Sequence, residues 1–521
     1  MTTGPAVFAS MATLAAAGIL PVVAAAGLRW VTVPLVPLGG AVVAALSATC
    51  FLAVGGTFMD WFVALAGAGA LAVSWLWVAR PDRRPWRTPG NDRPAHDGAF
   101  RLCGCIGALV VLACCAWCLR DLSTPSVGFD ARAVWLMRSG WFLQSHHQLL
   151  VDMRVKDAVI VQSAYPPLVS ASNAVAWGVT GDHSFRLGVV VIAVLNTCAL
   201  AVAAFSLVEL GRRFSVRLSG TDAEGGGFGA RPQTPPPPPA PARLAPMVVG
   251  VVSAALLVFV AFGITEPFMT NGYADPIWSL AAVGAVAFGL QAPGLRSGPA
   301  ITTVLLLVAG MSKVEGTATA AALIVLVAGR AVLTMSAPDR RRKGWRPLAL
   351  GAVQLALVGA WPVLMRAIHA RGDSSTLSPA GQWVGRAHAT YDAMTPYLHV
   401  LVIAVPVAVV GGLVLGATRR LSGAANDGWG WAGLVCGLLV VGGAVVTGSG
   451  AVVPWLAVTV HRISEFPALA GWWILATWAV VASGAPALAL RRRTPVGTPA
   501  PSTRSVPAGS PVVVAPAPAR E

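Results

Sequence analysis

The sequence predicts an all-α, polytopic membrane protein, and three observations lead to that prediction. Of the 521 residues, 56% are hydrophobic and only 11% are charged, whereas a soluble domain carries about 25% charged residues. The apolar residues come in runs of about 18 to 25, the length that a helix needs to cross a bilayer. The few charged residues gather into clusters between those runs. This composition excludes a soluble globular protein.

About thirteen transmembrane helices are expected from the apolar runs. The stretch 300–334 is counted as two short helices that meet near Lys313, because basic residues flank it on both sides and an even number of crossings is then required. The candidate spans are residues 6–28, 31–55, 61–78, 102–119, 187–210, 246–264, 277–290, 300–311, 317–334, 348–365, 398–415, 429–446 and 467–490.

The arginines predict which loops face the cytoplasm, where basic residues are enriched. They cluster at residues 80–93, 212–217, 340–343, 419–420 and 491–493. Placing all five clusters inside agrees with the span count and puts the N-terminus and the long segment 120–186 outside. The net charge of +16 is thereby explained by basic residues that flank the spans in the lipid bilayer, and no nucleic-acid partner is inferred. The expected location is a bacterial plasma membrane, with the functional loops facing outward.

Three charged residues of the predicted outer loops stand where an unpaired charge is costly. Asp130 and Asp275 each lie at the edge of a span, and Lys313 lies in an otherwise apolar stretch. Asp130 has possible partners in Arg120 and Arg132. Asp275 has no basic neighbour within twenty residues, so its partner must come from elsewhere in the fold, or be a metal or a substrate. Glu315 lies two residues from Lys313 and would face another way on a helix, which favours an unwound segment or outside partners.

The aromatic residues of the outer loops allow two interpretations. All four tyrosines fall in these loops, and an aromatic belt at the membrane surface explains them as well as ligand binding does. The first outer loop closes with a Tyr-Pro-Pro-Leu run at 165–168 and a semi-apolar segment to Trp177, predicted to be a juxtamembrane helix lying in the interface. His461, Arg462 and Glu465 are assigned to the last outer loop, before the final span.

In their order along the chain and their predicted location on the outer side of the membrane, these motifs resemble those of the GT-C superfamily of integral-membrane glycosyltransferases. This superfamily includes protein O-mannosyltransferases and lipid A aminoarabinose transferases. The resemblance is carried by Asp130 in the first long outer loop, Tyr-Pro-Pro-Leu at 165–168, Tyr-Ala-Asp-Pro at 273–276 and Lys-Val-Glu-Gly at 313–316, with weaker support from His461-Arg462. The resemblance covers about residues 102–334. Together with the composition of the other segments, it divides the chain into extra N-terminal helices with a basic loop (1–100), a catalytic core (101–334), C-terminal helices (335–490) and a disordered Pro/Ala-rich tail (491–521).

The resemblance implies transfer of a sugar from a polyprenyl-phosphate donor to a glycan, lipid or protein acceptor on the outer face. An inverting transfer needs a carboxylate as general base and cations for the leaving phosphate. It assigns Asp130 as the base, with Asp275 assisting through substrate positioning or a metal. Lys313, Arg462 and Arg132 are the candidates for the donor phosphate.

The resemblance further implies that the substrate-binding residues are Glu315, Tyr165, Tyr273, Trp135 and His461. Some members carry a second acidic residue after the first Asp, whereas Ala131 follows Asp130 here. The sequence therefore leaves open whether a divalent metal ion takes part, with Asp130 and Asp275 as its ligands.

Three alternative functions remain compatible with the sequence. A multi-span transporter or lipid flippase would place charges near mid-membrane and show repeated halves, whereas here the charges gather at one face. A non-catalytic scaffold predicts that Asp130, Asp275 and Lys313 do not converge. An O-antigen-ligase-like transferase would have its large loop late in the chain.

Overall fold

The computed structural model describes residues 3–27, 29–79, 97–123, 125–154, 164–218, 240–291, 298–370, 378–417, 427–447 and 452–493. Most of these residues are helical, and none of them lies in a strand. The predicted all-α class is therefore confirmed. The Pro/Ala-rich tail (491–521) lies largely outside the described residues, and its predicted disorder stays a prediction.

Eighteen α-helices build the described part of the chain. They are α1 (Thr3–Ala26), α2 (Thr32–Val54), α3 (Phe58–Ala79), α4 (Asp97–Cys118), α5 (Met137–Trp141), α6 (His146–Arg154), α7 (Leu168–Thr180), α8 (Phe185–Leu218), α9 (Ala240–Thr265), α10 (Asp275–Val286), α11 (Gly298–Ser312), α12 (Val314–Leu333), α13 (Ala337–Lys343), α14 (Trp345–Ala367), α15 (Trp383–Met394), α16 (His399–Ala417), α17 (Asp427–Thr447) and α18 (Val452–Arg493). Two π-helices, Ala131–Leu136 and Ala287–Gln291, precede α5 and follow α10.

Nine helices of the described residues are long and apolar enough to cross a membrane: α1, α2, α3, α8, α9, α12, α14, α17 and α18. Shorter apolar helices lie within α4, in α10 with its π-helical extension, and in α11. The chain is thus a multi-pass membrane protein, whereas the total of about thirteen spans stays a prediction. Helices α1 and α2, assigned to an N-terminal extra region, pack against α7, α8 and α11.

The connections of the helices separate two ends of the bundle. Helix α10 begins at Asp275, while α11 ends and α12 begins on either side of Lys313, so these termini share one end. The opposite end, called the basic end below, carries Arg29 and the last turns of α8, where Glu209 pairs with three arginines. It also carries α13 with its four basic residues. Phe288 lines cavities beside both groups, which places them at the same end.

Helix α7 corrects the prediction of an interfacial helix after the Tyr-Pro-Pro-Leu run. Its residues 168–177 are all buried, and the helix packs against α1, α2 and α8. An interfacial helix needs one charged or strongly polar face. The sequence of α7 holds no charged residue, so it can be enclosed by other helices on every side.

Helix α18 corrects the position of the last predicted loop. The helix begins at Val452, so His461, Arg462 and Glu465 lie inside it and not in a loop before a span at 467. Its first residues are apolar, and Pro454 lies in the first turn, where a missing N–H costs nothing. Pro467 interrupts the backbone hydrogen bonds, yet the helix continues through it. Arg462 therefore projects from a fixed position of a long helix.

Candidate active site

Asp275 is the centre of a buried group of charges at the end of the bundle opposite to the basic end. One carboxylate oxygen, Oδ1, accepts a hydrogen bond from Nζ of Lys313 at 2.5 Å. The other, Oδ2, accepts from Nε of Arg462 at 3.0 Å and lies 2.9 Å from its Nη2. The Asp275 side chain is 1% exposed. Of the partners that the sequence leaves open for Asp275, the structure shows side chains from elsewhere in the fold.

Arg462 connects this centre to Asp130. Its Nη2 lies 2.6 Å from Oδ2 of Asp130 as well as against Asp275, so one guanidinium bridges two carboxylates. Lys313 makes a second, longer ion pair with Glu315 at 3.4 Å. The charged cluster, as it is called below, thus comprises Asp130, Asp275, Lys313, Glu315 and Arg462. Three carboxylates and two cations leave it with one net negative charge.

The local backbone explains how Lys313 reaches this position. Lys313 is the single extended residue between α11 and α12, with φ −153° and ψ 159°, which confirms the predicted unwound segment. The break turns its side chain away from the helical direction and lets Nζ contact both Asp275 and Glu315. Gly316 then permits close packing, because a Cβ atom there would lie 2.2 Å from the carbonyl oxygen of Ala309.

Asp275 is held by the start of α10 and by the loop before it. It lies in the first helical turn, where a carboxylate is favoured by the helix dipole. In the preceding loop Gly272 has φ +90°, a conformation that other residues rarely adopt. Asn196 of α8 donates hydrogen bonds to the carbonyls of Met269 and Tyr273 at 3.1 and 3.3 Å. These bonds hold the loop against α8.

Asp130 is placed by contact between its own loop and the Tyr273 ring. A Cβ atom on Gly128 would lie 2.2 Å from Cε2 of Tyr273, so only glycine allows this approach. The backbone N–H of Asp130 donates to the Tyr273 hydroxyl at 3.5 Å. The Asp130 side chain is 23% exposed, the highest value in the cluster, and its Oδ1 accepts no hydrogen bond from the residues that the structure describes. Asp130 is therefore the carboxylate that solvent and ligands reach.

Aromatic rings lie beside Arg462 and its neighbour His461. Its guanidinium carbon lies 4.7 Å from the centre of the Tyr273 ring and 5.9 Å from that of Phe268. His461 stacks on Tyr397 with ring centres 5.2 Å apart, and its Nε2 lies 2.6 Å from the Ile264 carbonyl oxygen. Tyr273 and His461, both predicted to bind substrate, thus border the cluster. Phe268 and Tyr397, which the sequence does not single out as ligand-binding residues, lie beside them.

Both predicted tyrosines remain protonated donors near neutral pH. Burial raises the pKa of Tyr273 above its ordinary value, and the Asp130 carboxylate adds to the effect. Desolvation and the charge of Glu315 likewise raise the pKa of Tyr165. Each hydroxyl can therefore donate a hydrogen bond to an oxygen atom of a ligand.

Trp135 and Arg132 do not join the cluster in the way the sequence predicts. Trp135 is fully buried and stacks behind Tyr165, with ring centres 5.6 Å apart. Arg138, also fully buried, fixes that layer by donating to the carbonyl oxygens of Tyr165 and Pro166 at 2.6 and 2.7 Å. Trp135 thus supports Tyr165 and offers no open face to a sugar.

Arg132 is exposed and makes no ion pair within the described ranges.

Glu465 is a buried carboxylate that the sequence analysis assigns to a loop. It lies three residues after Arg462 on α18 and is fully buried. Neither of its oxygen atoms has a hydrogen-bond partner among the described residues. The three-residue spacing would place it beside Arg462 on one helix face, but that signal depends on knowing that the helix extends this far.

The donor set does not suit the divalent metal that the sequence leaves open. Both oxygen atoms of Asp275 are engaged by cationic side chains, and one oxygen of Asp130 is paired with Arg462. A divalent cation with these two ligands would have to displace Lys313 and Arg462. Across the described residues, no group of three His, Cys, Asp or Glu side chains is arranged to hold a metal ion.

No protein-family model, no curated protein and no solved structure matches the chain. The chemistry of the site is therefore argued from its own side chains. They combine an accessible carboxylate with two cations that a buried carboxylate holds in place.

Proposed function

We propose that the protein is a membrane glycosyltransferase of the GT-C type. It moves a sugar from a polyprenyl-phosphate donor to an acceptor on the extracytoplasmic face. The observation that supports this proposal most is the convergence of Asp130, Asp275, Lys313 and Arg462, which come from distant parts of the chain. A scaffold has no need of such a costly group of buried charges.

The sidedness of the proposal follows from the distribution of basic residues. Arginines cluster at the basic end, which the positive-inside rule puts in the cytoplasm. The charged cluster lies at the opposite end of the helices and therefore faces outward. A transporter or lipid flippase, the alternative function, would use charges near mid-membrane. Here Asp275, Lys313 and Glu315 lie at helix starts at one end of the bundle, and Arg462 of α18 joins them there.

Asp130 acts as the general base in this proposal. Its free Oδ1 takes the proton of the acceptor hydroxyl, and the acceptor oxygen forms a bond to the anomeric carbon of the sugar. The bond between that carbon and the phosphate oxygen breaks, and polyprenyl phosphate leaves with the electron pair. Asp275 is unsuited to this step because it is buried and both of its oxygens are engaged.

Arg462 is the cation best placed for the leaving phosphate. Its Nε and Nη2 bind carboxylates, whereas Nη1 has no acceptor among the described side chains and backbone atoms. Asp275 positions the guanidinium, so the donor phosphate meets an already oriented arginine. Lys313 lies deeper, against Asp275 and Glu315, and supports the cluster electrostatically. Tyr273 and Tyr165 border the space in which the sugar would bind.

Binding of polyprenyl phosphate tests the proposal without knowledge of the sugar or the acceptor, because this lipid is the common product. The purified protein in nanodiscs with excess phosphatidylglycerol is expected to bind polyprenyl phosphate. Arg462→Gln should weaken binding about ten- to hundred-fold, the value of one charge-assisted contact. Arg132→Gln removes an exposed arginine of the same region and should change binding less than about two-fold.

Two results would contradict this assignment. One is equal binding by the wild type and a folded Arg462→Gln variant, and the other is equal losses in both arginine variants. Elution volume in size-exclusion chromatography shows whether the Arg462→Gln protein is folded.

A further inference from the structure

A cavity of about 490 Å³ lies at the basic end, far from the charged cluster. It opens between α11, α12 and α14, and its polar lining residues are Thr302, Thr334, Arg330, Arg346 and Gln354. The remaining walls are mostly apolar. Among the residues that the structure describes, no acidic side chain lines it.

Arg330, in the last turn of α12, is the most unusual residue of this cavity. It is 2% exposed, and its Nε and Nη2 have no hydrogen-bond partner in the described part of the chain. Its Nη1 makes only a long contact of 3.5 Å to the carbonyl oxygen of Gly289. A buried guanidinium with unpaired donors is costly, so the fold gains from an anion that binds there.

The described residues around Arg330 do not supply that anion. The Trp429 ring centre lies 6.0 Å from its guanidinium carbon. The ring carries no charge and has no oxygen atom that could accept a hydrogen bond from the guanidinium. The hydroxyl of Thr302 is a second buried polar group without a partner among the described residues. Gln354 is already bound to Thr303 through its Nε2 at 2.6 Å.

We propose that this cavity binds the phosphate headgroup of an anionic phospholipid from the membrane leaflet at the basic end. Arg330 would pair with the phosphate, and the Thr302 hydroxyl would donate to one of its oxygens. Arg346, exposed at the rim, adds a second positive charge. The apolar side chains of Val327 and Leu350 also line the cavity and can contact acyl chains, which a soluble phosphate lacks. Basic pockets between helices at a membrane surface are suited to lipid headgroups.

Lipid retention by the full chain tests the site. The wild type and its variants are placed in nanodiscs of phosphatidylcholine with phosphatidylglycerol, extracted in detergent, and examined by native mass spectrometry. Arg330→Met should retain phosphatidylglycerol about ten- to hundred-fold more weakly. Thr302→Val has nearly the same shape without the hydroxyl, and should weaken retention roughly two- to ten-fold.

The matched control is Arg341→Gln, which removes an exposed arginine of α13 at the same end and should change retention less than about two-fold. Equal retention by the wild type and Arg330→Met would overturn the proposal. If Arg330→Met fails to fold, unchanged retention in Thr302→Val overturns it instead. Displacement of the lipid by inorganic phosphate alone would show that the site takes a soluble anion, and would overturn the lipid assignment.

Discussion

Replacing Asp275 with asparagine should destabilise the fold, whereas the same change at Asp130 should leave it intact. The amide keeps the shape of Asp275 but removes the charge that holds Lys313 and Arg462. It also directs an NH2 group at one of two cations. Among the described residues Asp130 makes one ion pair, with Arg462, and that arginine keeps Asp275 as a partner when Asp130 is neutralised.

The magnitudes follow from the burial of the two carboxylates. Asp275 is 1% exposed, and removing one partner of a buried ion pair costs about 3–5 kcal/mol. Asp130 is 23% exposed, and a pair that water reaches is worth about 0–1 kcal/mol. The free energies of unfolding of the two variants should therefore differ by about 3 kcal/mol.

Unfolding by dodecyl sulfate, followed by tryptophan fluorescence of the purified protein, measures these free energies. The double variant Asp275→Asn with Lys313→Met should lose less stability than the sum of the two single variants, because each single change leaves one charge buried alone. A loss below about 1 kcal/mol in Asp275→Asn, or strict additivity in the double variant, would refute the argument.

Three further predictions concern topology, packing and metal. A cysteine at Ser145 should react with a membrane-impermeant maleimide in intact cells, whereas one at Arg341 should react only after permeabilisation; the reverse pattern would invert the sidedness. Gly316→Ala should destabilise by about 1–3 kcal/mol, because its Cβ would meet a backbone carbonyl at 2.2 Å. Gly329→Ala on the same helix would place its Cβ within 4 Å of no atom of the described residues and should cost no stability. Equal effects of the two changes would contradict this packing of Gly316. A chelator should leave the transfer rate unchanged, and a loss restored by a divalent cation would show that a metal replaces the contacts of Asp275.

The sequence was sufficient to predict the helical class and part of the charged cluster. Apolar runs report directly on helices that cross a bilayer, because hydropathy and length are local properties. Asp275 and Lys313 could be singled out because each is a costly charge without a suitable neighbour. Their pairing bridges 38 residues and that of Asp275 with Arg462 bridges 187, so the sequence could indicate that partners exist but not which residues they are.

The wrong predictions concern residues whose burial or position is determined by packing between helices. The enclosure of α7 depends on α1, α2 and α8 surrounding it, and no periodicity within α7 contains that information. Trp135 looks like a surface aromatic in the sequence but is covered by Tyr165 and Arg138. The early start of α18 was missed because charged residues and Pro467 resemble a loop, although Arg462 and Glu465 are tolerated inside the bundle. Site residues on that helix were therefore misplaced.

Sugar transfer itself is the most direct test of the proposed function. Purified protein is incubated with a panel of radiolabelled polyprenyl-phosphate sugars and membrane-derived acceptors, and labelled product and free polyprenyl phosphate are measured together. Transfer by the wild type should form both in equal amounts, and Asp130→Asn should lower the rate by about 10² to 10⁴ while remaining folded. Full activity of the Asp130→Asn variant would contradict the assignment of the base, and no transfer from any donor of the panel would contradict the proposed function.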